Sequence, residues 1–128
     1  MYFDGHLLTE SGWVRGVWAL APVISSVDTI PRGAQVVRGW ATPGLVDAHC
    51  HIGVGHGARV LSADEQRGQL RTELSAGVTL LRDCGSPVDT SWVQGEAGLP
   101  VLIRCGRHIA RPKRYIRGLA REVEDARD

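Results

Sequence analysis

The sequence predicts an α/β fold in which parallel strands are joined by a helix. Three stretches of the chain support this fold class. Residues 42–52 contain a short apolar run after a Pro-Gly pair, residues 62–77 contain helix start and stop signals, and residues 78–81 form a second apolar run. A strand, a helix and another strand in this order make one β/α/β unit with parallel strands.

The first predicted strand ends in two histidines. Its Leu-Val pair fits a buried strand, and side chains alternate between the two faces of a strand. Asp47, His49 and His51 should therefore share one face. Two imidazoles at this spacing can each place a nitrogen about 2.0 to 2.1 Å from one zinc ion. The spacing permits a shared metal site, and solvated or hydrogen-bonded histidines are the alternative.

The helix has a clear beginning and end in the sequence. Ser62 followed by Glu65 three residues later is a capping box, and acidic residues in the first turn complement the helix dipole. Leu70 and Leu74 lie near helical spacing and define an apolar face. Gly77 is placed to end the helix. The run at residues 78–81 that follows fits a fully buried parallel strand.

The other parts of the chain give weaker signals. Residues 1–41 are β-rich, with short strand candidates interrupted by Gly, Pro and Ser. Residues 88–98 predict a short or irregular helix, and residues 99–103 a third strand of the sheet. His6, near the amino terminus, is expected to be solvated.

Composition limits the classes of protein. The chain has 128 residues, 43% hydrophobic and 23% charged, with a formal net charge of +1 and a mean hydropathy of −0.10, which is typical of soluble globular proteins. It contains no apolar run of 18 residues and no secretory signal, so we expect a cytoplasmic location without a membrane partner. Cys50, Cys84 and Cys105 lack Cys-x-x-Cys spacing and are expected to be reduced and buried, with Cys50 structural rather than a metal ligand.

A basic segment lies near the end of the sequence. Residues 104–121 contain seven of the fifteen Lys and Arg residues and no acid. Nucleic-acid binding is one interpretation, but the segment has a single aromatic residue, Tyr115, and the whole-chain charge is balanced, so we expect no nucleic-acid partner. A solvated loop that attracts an anionic substrate is favoured. The roles of His108 here and of His56 in the glycine-rich loop 53–59 stay open, and for His56 solvation is favoured over substrate or metal contact.

The residues around the histidine pair also match a known pattern. Residues 43–51, Pro-Gly-Leu-Val-Asp-Ala-His-Cys-His, resemble the first barrel strand of the amidohydrolase superfamily. Residues 76–83, Ala-Gly-Val-Thr-Leu-Leu-Arg-Asp, resemble a later part of the same family's sequence pattern. The likeness is of the imidazolonepropionase-like kind and covers about residues 35–103. It departs from the family pattern at Leu80, where a second Thr is common, and at Cys84, where a Met is frequent.

The resemblance implies a specific architecture. Residues 42–128 would form an incomplete β/α (TIM-type) barrel with its first two to three strands, because a complete barrel takes about 250 residues. Residues 1–41 would form a small β-rich segment of a composite β-sandwich. One edge of the barrel sheet would then be open.

The resemblance also implies a function, namely metal-dependent hydrolysis of carbon–nitrogen bonds other than peptide bonds in small-molecule amides or related compounds. His49 and His51 would bind a divalent metal, most simply zinc, with Asp47 and Asp83 in support and His56 in a substrate loop. For Asp83, a buried ion pair or a loop cap is an equal alternative.

The family's remaining metal ligands come from later strands, so the sequence contains no complete catalytic set and we expect the chain to be inactive by itself. The alternative is a non-catalytic module or gene remnant whose open sheet edge self-associates or binds a partner, such as a missing carboxyl-terminal half.

Overall fold

The computed structural model describes residues 1–125 and 127. The chain divides into two compact units, Met1–Pro43 and Gly44–Asp128, with mixed sheets and few helices. Among the described residues, no helix is both long enough and apolar enough to cross a membrane.

The first unit is a four-stranded sheet. Its strands, in the spatial order β3-β2-β1-β4, are β1 (Tyr2–Thr9), β2 (Gly12–Ala19), β3 (Ser25–Ser26) and β4 (Val36–Ala41). β1 and β2 form an antiparallel hairpin, and β4 pairs with β1 in parallel. Gly16 was expected to interrupt a strand, but β2 is continuous because Gly16 stays in the ladder opposite Gly5.

Gly5 allows β1 and β4 to lie close together. A Cβ atom at this position would collide with the carbonyl oxygen of Gly39 on β4 and with the ring of Phe3. Phe3 is buried in this unit. A larger residue at position 5 would therefore displace both the neighbouring strand and the buried ring.

An aromatic cluster covers part of the same sheet. His6 pairs with Trp40 in the β1–β4 ladder, and their rings stack with centroids 4.1 Å apart. Trp13 meets Trp40 edge to face at 4.9 Å. The expectation that His6 is simply solvated is therefore wrong, because a strand far along the chain brings Trp40 beside it.

The second unit is built on a parallel sheet in the order β5-β6-β7. Its elements are β5 (Leu45–Cys50), α1 (Ala63–Ser75), β6 (Val78–Asp83) and β7 (Val101–Arg104), with 3-10 helices at His56–Ala58 and Ser91–Val93. The predicted β/α/β unit and the short helix within residues 88–98 are confirmed. The third strand begins after Pro100, later than predicted, and proline lacks the N–H needed for the ladder.

A separate parallel pair follows this sheet. β8 (His108–Ala110) pairs with β9 (Ala120–Glu122), with His108 opposite Ala120. The basic segment was expected to be a solvated loop, but the two strands join its beginning to its end. The prediction of a plain loop is therefore wrong, since Arg104, residues 108–110 and residues 120–121 of the segment belong to strands.

The capping box of α1 is confirmed. The Ser62 hydroxyl accepts a hydrogen bond from the Glu65 amide at 3.4 Å, and the Glu65 carboxylate accepts one from the Ser62 amide at 2.9 Å. Arg59 pairs with the same carboxylate at 2.7 Å. The Arg59 pairing, followed by the Ser62 hydrogen bonds, lowers the pKa of Glu65 to about 2.

The core of this unit lies on one face of the sheet. Leu81 and Leu102 are paired on β6 and β7, and both are buried in a cluster with Leu70 of α1. On the other face Val101 is 66% exposed and Ile103 is 51% exposed. The prediction that β6 belongs to a sheet buried on both faces is therefore wrong for the described residues.

Candidate functional site

The two histidines predicted as metal ligands lie side by side at the carboxyl end of β5. Their ring centroids are 5.5 Å apart and the ring planes cross at 72°. This separation is shorter than the roughly 7 Å between alternate residues of a regular strand, so the rings lean toward one another. His49 is exposed and His51 is half-buried.

β5 is not regular where it carries the histidines. Its pairing with β6 shifts register between Leu45 and Val46 and again between Asp47 and Cys50, and the strand ends at Cys50. The regular strand assumed for Asp47, His49 and His51 is therefore not observed, because the pairing is irregular and His51 lies beyond the end of β5. The Asp47 carboxylate instead accepts a hydrogen bond from the His49 amide at 2.9 Å, in a local turn-like contact.

The ring of His51 has a fixed partner. Its Nδ1 lies 2.8 Å from the carbonyl oxygen of Gly85. A carbonyl oxygen only accepts hydrogen bonds, so Nδ1 carries the hydrogen and Nε2 of the neutral ring keeps its lone pair. Metal-binding histidines commonly donate their other ring N–H to such a partner. The bond therefore leaves Nε2 of His51 suited to a metal ion.

Asp83 anchors the loop that carries this carbonyl group. The Asp83 side chain is buried, and its Oδ1 accepts a hydrogen bond from the Gly85 amide at 3.0 Å. Its Oδ2 has no hydrogen-bond partner among residues 1–125 and 127. Arg82 donates to the Cys84 sulfur at 3.3 Å. Of the two structural roles expected for Asp83, an ion pair and a loop cap, these contacts correspond to the loop cap.

Gly85 is the residue that sequence reasoning overlooked. Its φ of 138° lies in a region that L side chains rarely adopt, and a Cβ atom there would lie 3.2 Å from Cβ of His108. The His108 ring in turn stacks on Tyr115 at 4.0 Å. The sequence signal that could have identified Gly85 is a glycine two residues after an acid that ends a strand, at the point where a loop begins.

The cysteines are free but not uniformly buried. Cys105 is exposed, and Cys50 and Cys84 are half-buried, so the expectation that all three are buried is wrong. Cys50 packs against the core and its thiol contacts the Arg82 carbonyl at 3.5 Å. Burial, followed by the charge of Asp47, raises the pKa of Cys50 to about 12. A protonated thiol in this setting favours the structural role.

His56, the third histidine of the predicted site, does not belong to the His49–His51 pair. His56 begins the 3-10 helix His56–Ala58 and is exposed. No group of three or more His, Cys, Asp or Glu side chains within the described part of the chain is arranged to hold a metal ion. The chain thus brings together two imidazoles, whereas a catalytic zinc site commonly has three protein ligands.

Comparison with known proteins gives a partial match. No family model matches the chain. Uncharacterized proteins of Mycobacterium tuberculosis and Mycobacterium bovis are 51% identical over 122 residues, which cover 95% of this chain and 28% of each relative. The chain therefore spans little more than a quarter of the length of these curated relatives.

A solved structure shows where the fold occurs elsewhere. The crystal structure of an amidohydrolase matches 98% of this chain and 41% of its own, with a TM-score of 0.64 and 19% sequence identity. This chain shares its fold with part of an amidohydrolase. At this identity the likeness concerns the fold alone.

Proposed function

We propose that the chain is the amino-terminal part of a metal-dependent amidohydrolase that cleaves carbon–nitrogen bonds other than peptide bonds in small molecules. The proposal rests on one observation, the pairing of His49 and His51 with ring centroids 5.5 Å apart at the carboxyl end of β5. Active sites of β/α barrels lie at this end of their strands. The fold shared with part of an amidohydrolase supports the proposal.

The parallel sheet β5-β6-β7 would be the beginning of a β/α barrel. A closed barrel of this type has eight strands and about 250 residues, and the relatives are several times longer than the matched segment. The apolar side chains of Val101 and Ile103 on the open face would then become part of the barrel interior. Later strands would supply the remaining metal ligands.

His49 and His51 would hold a divalent ion, with zinc as the simplest choice. Such an ion polarises a substrate carbonyl and lowers the pKa of bound water to about 7. Within this chain, Gly85 orients the His51 ring and Asp83 fixes Gly85. The Asp47 carboxylate fixes the backbone of His49. These contacts prepare the two ligands without completing a catalytic set.

Zinc titration by calorimetry tests the metal site. The chain should bind zinc weakly, and replacement of both His49 and His51 with Ala should abolish that binding. His56→Ala is the matched control, since its imidazole is exposed and outside the pair. Unchanged zinc binding by the double variant would remove the metal-site proposal.

Hydrolysis assays test the need for the rest of the barrel. The isolated chain should show no metal-dependent turnover of cyclic or linear amides, because two ligands leave the zinc site incomplete. Turnover by the isolated chain that chelation abolishes and zinc restores would contradict this part of the proposal.

The exposed sheet face also favours a second candidate function, a non-catalytic module that associates through this sheet. Val46, Val101 and Ile103 are all more than half exposed. They lie on β5 and β7, the edge strands of the described sheet, and unpaired strand edges tend to recruit partners. The mass of the native polypeptide in its source cells separates the two candidates. A mass above about 25 kDa, enough for a closed barrel, favours the hydrolase, and a mass near 13.9 kDa favours the module.

A further inference from the structure

The basic segment, residues 104–121, contributes to a cavity that the histidine pair does not use. The cavity measures about 460 Å³ and is lined by Lys113, Tyr115, Arg117 and Glu122. This volume lies within the range of about 300 to 1,000 Å³ that small-molecule sites occupy. We propose that it binds a small organic anion through a carboxylate or phosphate group.

The charges around the cavity favour an anion. Two cationic side chains, Lys113 and Arg117, face one carboxylate, that of Glu122. Among residues 1–125 and 127, no acidic side chain forms an ion pair with Lys113 or Arg117. The guanidinium can bind an oxyanion through two parallel hydrogen bonds, while the ammonium supplies a compact charge.

The backbone at Lys113 has an unusual conformation. Its φ of 61° is in the left-handed region, which a residue with a side chain rarely adopts. The Lys113 amide donates a hydrogen bond to Oε1 of Glu122 at 3.1 Å. Such conformations persist where the surroundings fix them and are concentrated at functional sites. Glu122 therefore positions Lys113 at the cavity as well as lining it.

The rest of the cavity is held in place by ordered structure. Tyr115 stacks on His108 with ring centroids 4.0 Å apart, which gives one wall an aromatic surface for the organic part of a ligand. The pairing of His108 with Ala120 fixes the two ends of the segment relative to one another. The cations are therefore presented by a structured loop closed at its base.

Calorimetric titration of the metal-free chain with benzoate and with phenyl phosphate tests this proposal. Both probes carry the same ring, so their relative affinities distinguish a carboxylate site from a phosphate site. We expect saturable binding of at least one probe with one molecule per chain. The absence of metal makes the result independent of the proposed hydrolase function.

Charge-removing variants locate the binding. Lys113→Gln and Arg117→Gln should each weaken binding about tenfold, the effect of losing a hydrogen bond to a charged group. Arg107→Gln removes the same charge from an exposed position of the segment outside the cavity and should change binding less than about twofold. If Lys113→Gln unfolds, Lys113→Gly keeps the test available because glycine suits the positive φ.

Three results would overturn the proposal. An equal loss in Arg107→Gln and Arg117→Gln would mean diffuse attraction to the whole basic segment. Saturable binding of a short single-stranded oligonucleotide without binding of either small anion would make the segment a nucleic-acid surface. Binding of neither class would mean that the cavity has no anion site.

Discussion

The Nδ1 atom of His51 lies 2.8 Å from the carbonyl oxygen of Gly85, 34 residues away in the sequence. The amide of the same glycine donates to the carboxylate of Asp83 at 3.0 Å. A buried acid at the end of β6 thus fixes the backbone group that orients a ring following β5. Asp83 thus acts on the candidate site through the backbone of this loop.

Replacement of Gly85 with Ala should destabilise the chain by about 2 to 3 kcal/mol. Both the positive φ and the added Cβ atom, 3.2 Å from Cβ of His108, oppose the substitution. Gly98→Ala is the control, because Gly98 also has a positive φ but has no atom within 4 Å of an added Cβ. Its loss should be about 1 kcal/mol, from backbone strain alone. Urea unfolding measures the loss of unfolding free energy in both variants. Equal losses would show that contact with His108 is unimportant.

Truncation of an apolar side chain should reduce stability much more on β6 than on the neighbouring strand β7. Leu81→Ala should lower the free energy of unfolding by about 2 to 5 kcal/mol, because Leu81 is fully buried against α1. Val101→Ala on the open face should change it by less than about 0.5 kcal/mol. Chemical denaturation of the isolated chain tests the contrast. A large loss at Val101 would mean that this face is covered, for example by a second copy of the chain.

The ion pair between Arg59 and Glu65 at the start of α1 should make the stability of the chain depend on pH in the acidic range. The Arg59 contact and the Ser62 hydrogen bonds lower the pKa of Glu65 from 4.5 to about 2. The stabilisation from this lowered pKa is therefore fully present above about pH 5 and is lost as the pH falls toward 2.

Thermal unfolding of the wild type and of Glu65→Gln should reveal this pH window. The difference in Tm should be largest above about pH 5 and should vanish near pH 2. Glu73→Gln is the control for the loss of one negative charge, because it removes from the same helix a carboxylate that has no ion pair among the described residues. A pH-independent difference for Glu65→Gln would contradict the ion-pair explanation.

The cysteines should react with iodoacetamide at very different rates. A pKa of about 12 leaves only about one Cys50 thiol in ten thousand ionised at about pH 8, and the thiolate is the reactive form. Cys105 is exposed and should be alkylated first. Peptide mass spectrometry over time gives both rates in one sample. Alkylation of Cys50 as fast as Cys105 in the folded chain would show that its thiol is neither buried nor protonated.

Local signals in the sequence were sufficient for the helix of the second unit. Ser62 and Glu65 are three residues apart, and their reciprocal bonds form whenever the helix begins there. The order strand, helix, strand also follows from short stretches of chain. The proximity of His49 and His51 follows from their separation by a single residue.

Features that depend on pairing between distant residues could not be predicted in this way. The stacking of His6 on Trp40 requires the register of β1 against β4, which neither strand specifies alone. The Gly85 contact to His51 depends on how a loop folds over a neighbouring strand. The burial of only one sheet face is likewise a property of which elements lie beside it, and apolar residues in β7 do not reveal it.

The break in the ladder between Asp47 and Cys50 has a consequence for sequence divergence. In a continuous ladder, a one-residue insertion before the histidines would turn their side chains to the opposite face. Here the His51 ring donates to the Gly85 carbonyl, and the His49 amide donates to the Asp47 carboxylate. These contacts do not depend on the ladder, so residues earlier in β5 can shift register in evolution while the His51 ring and the His49 backbone stay fixed.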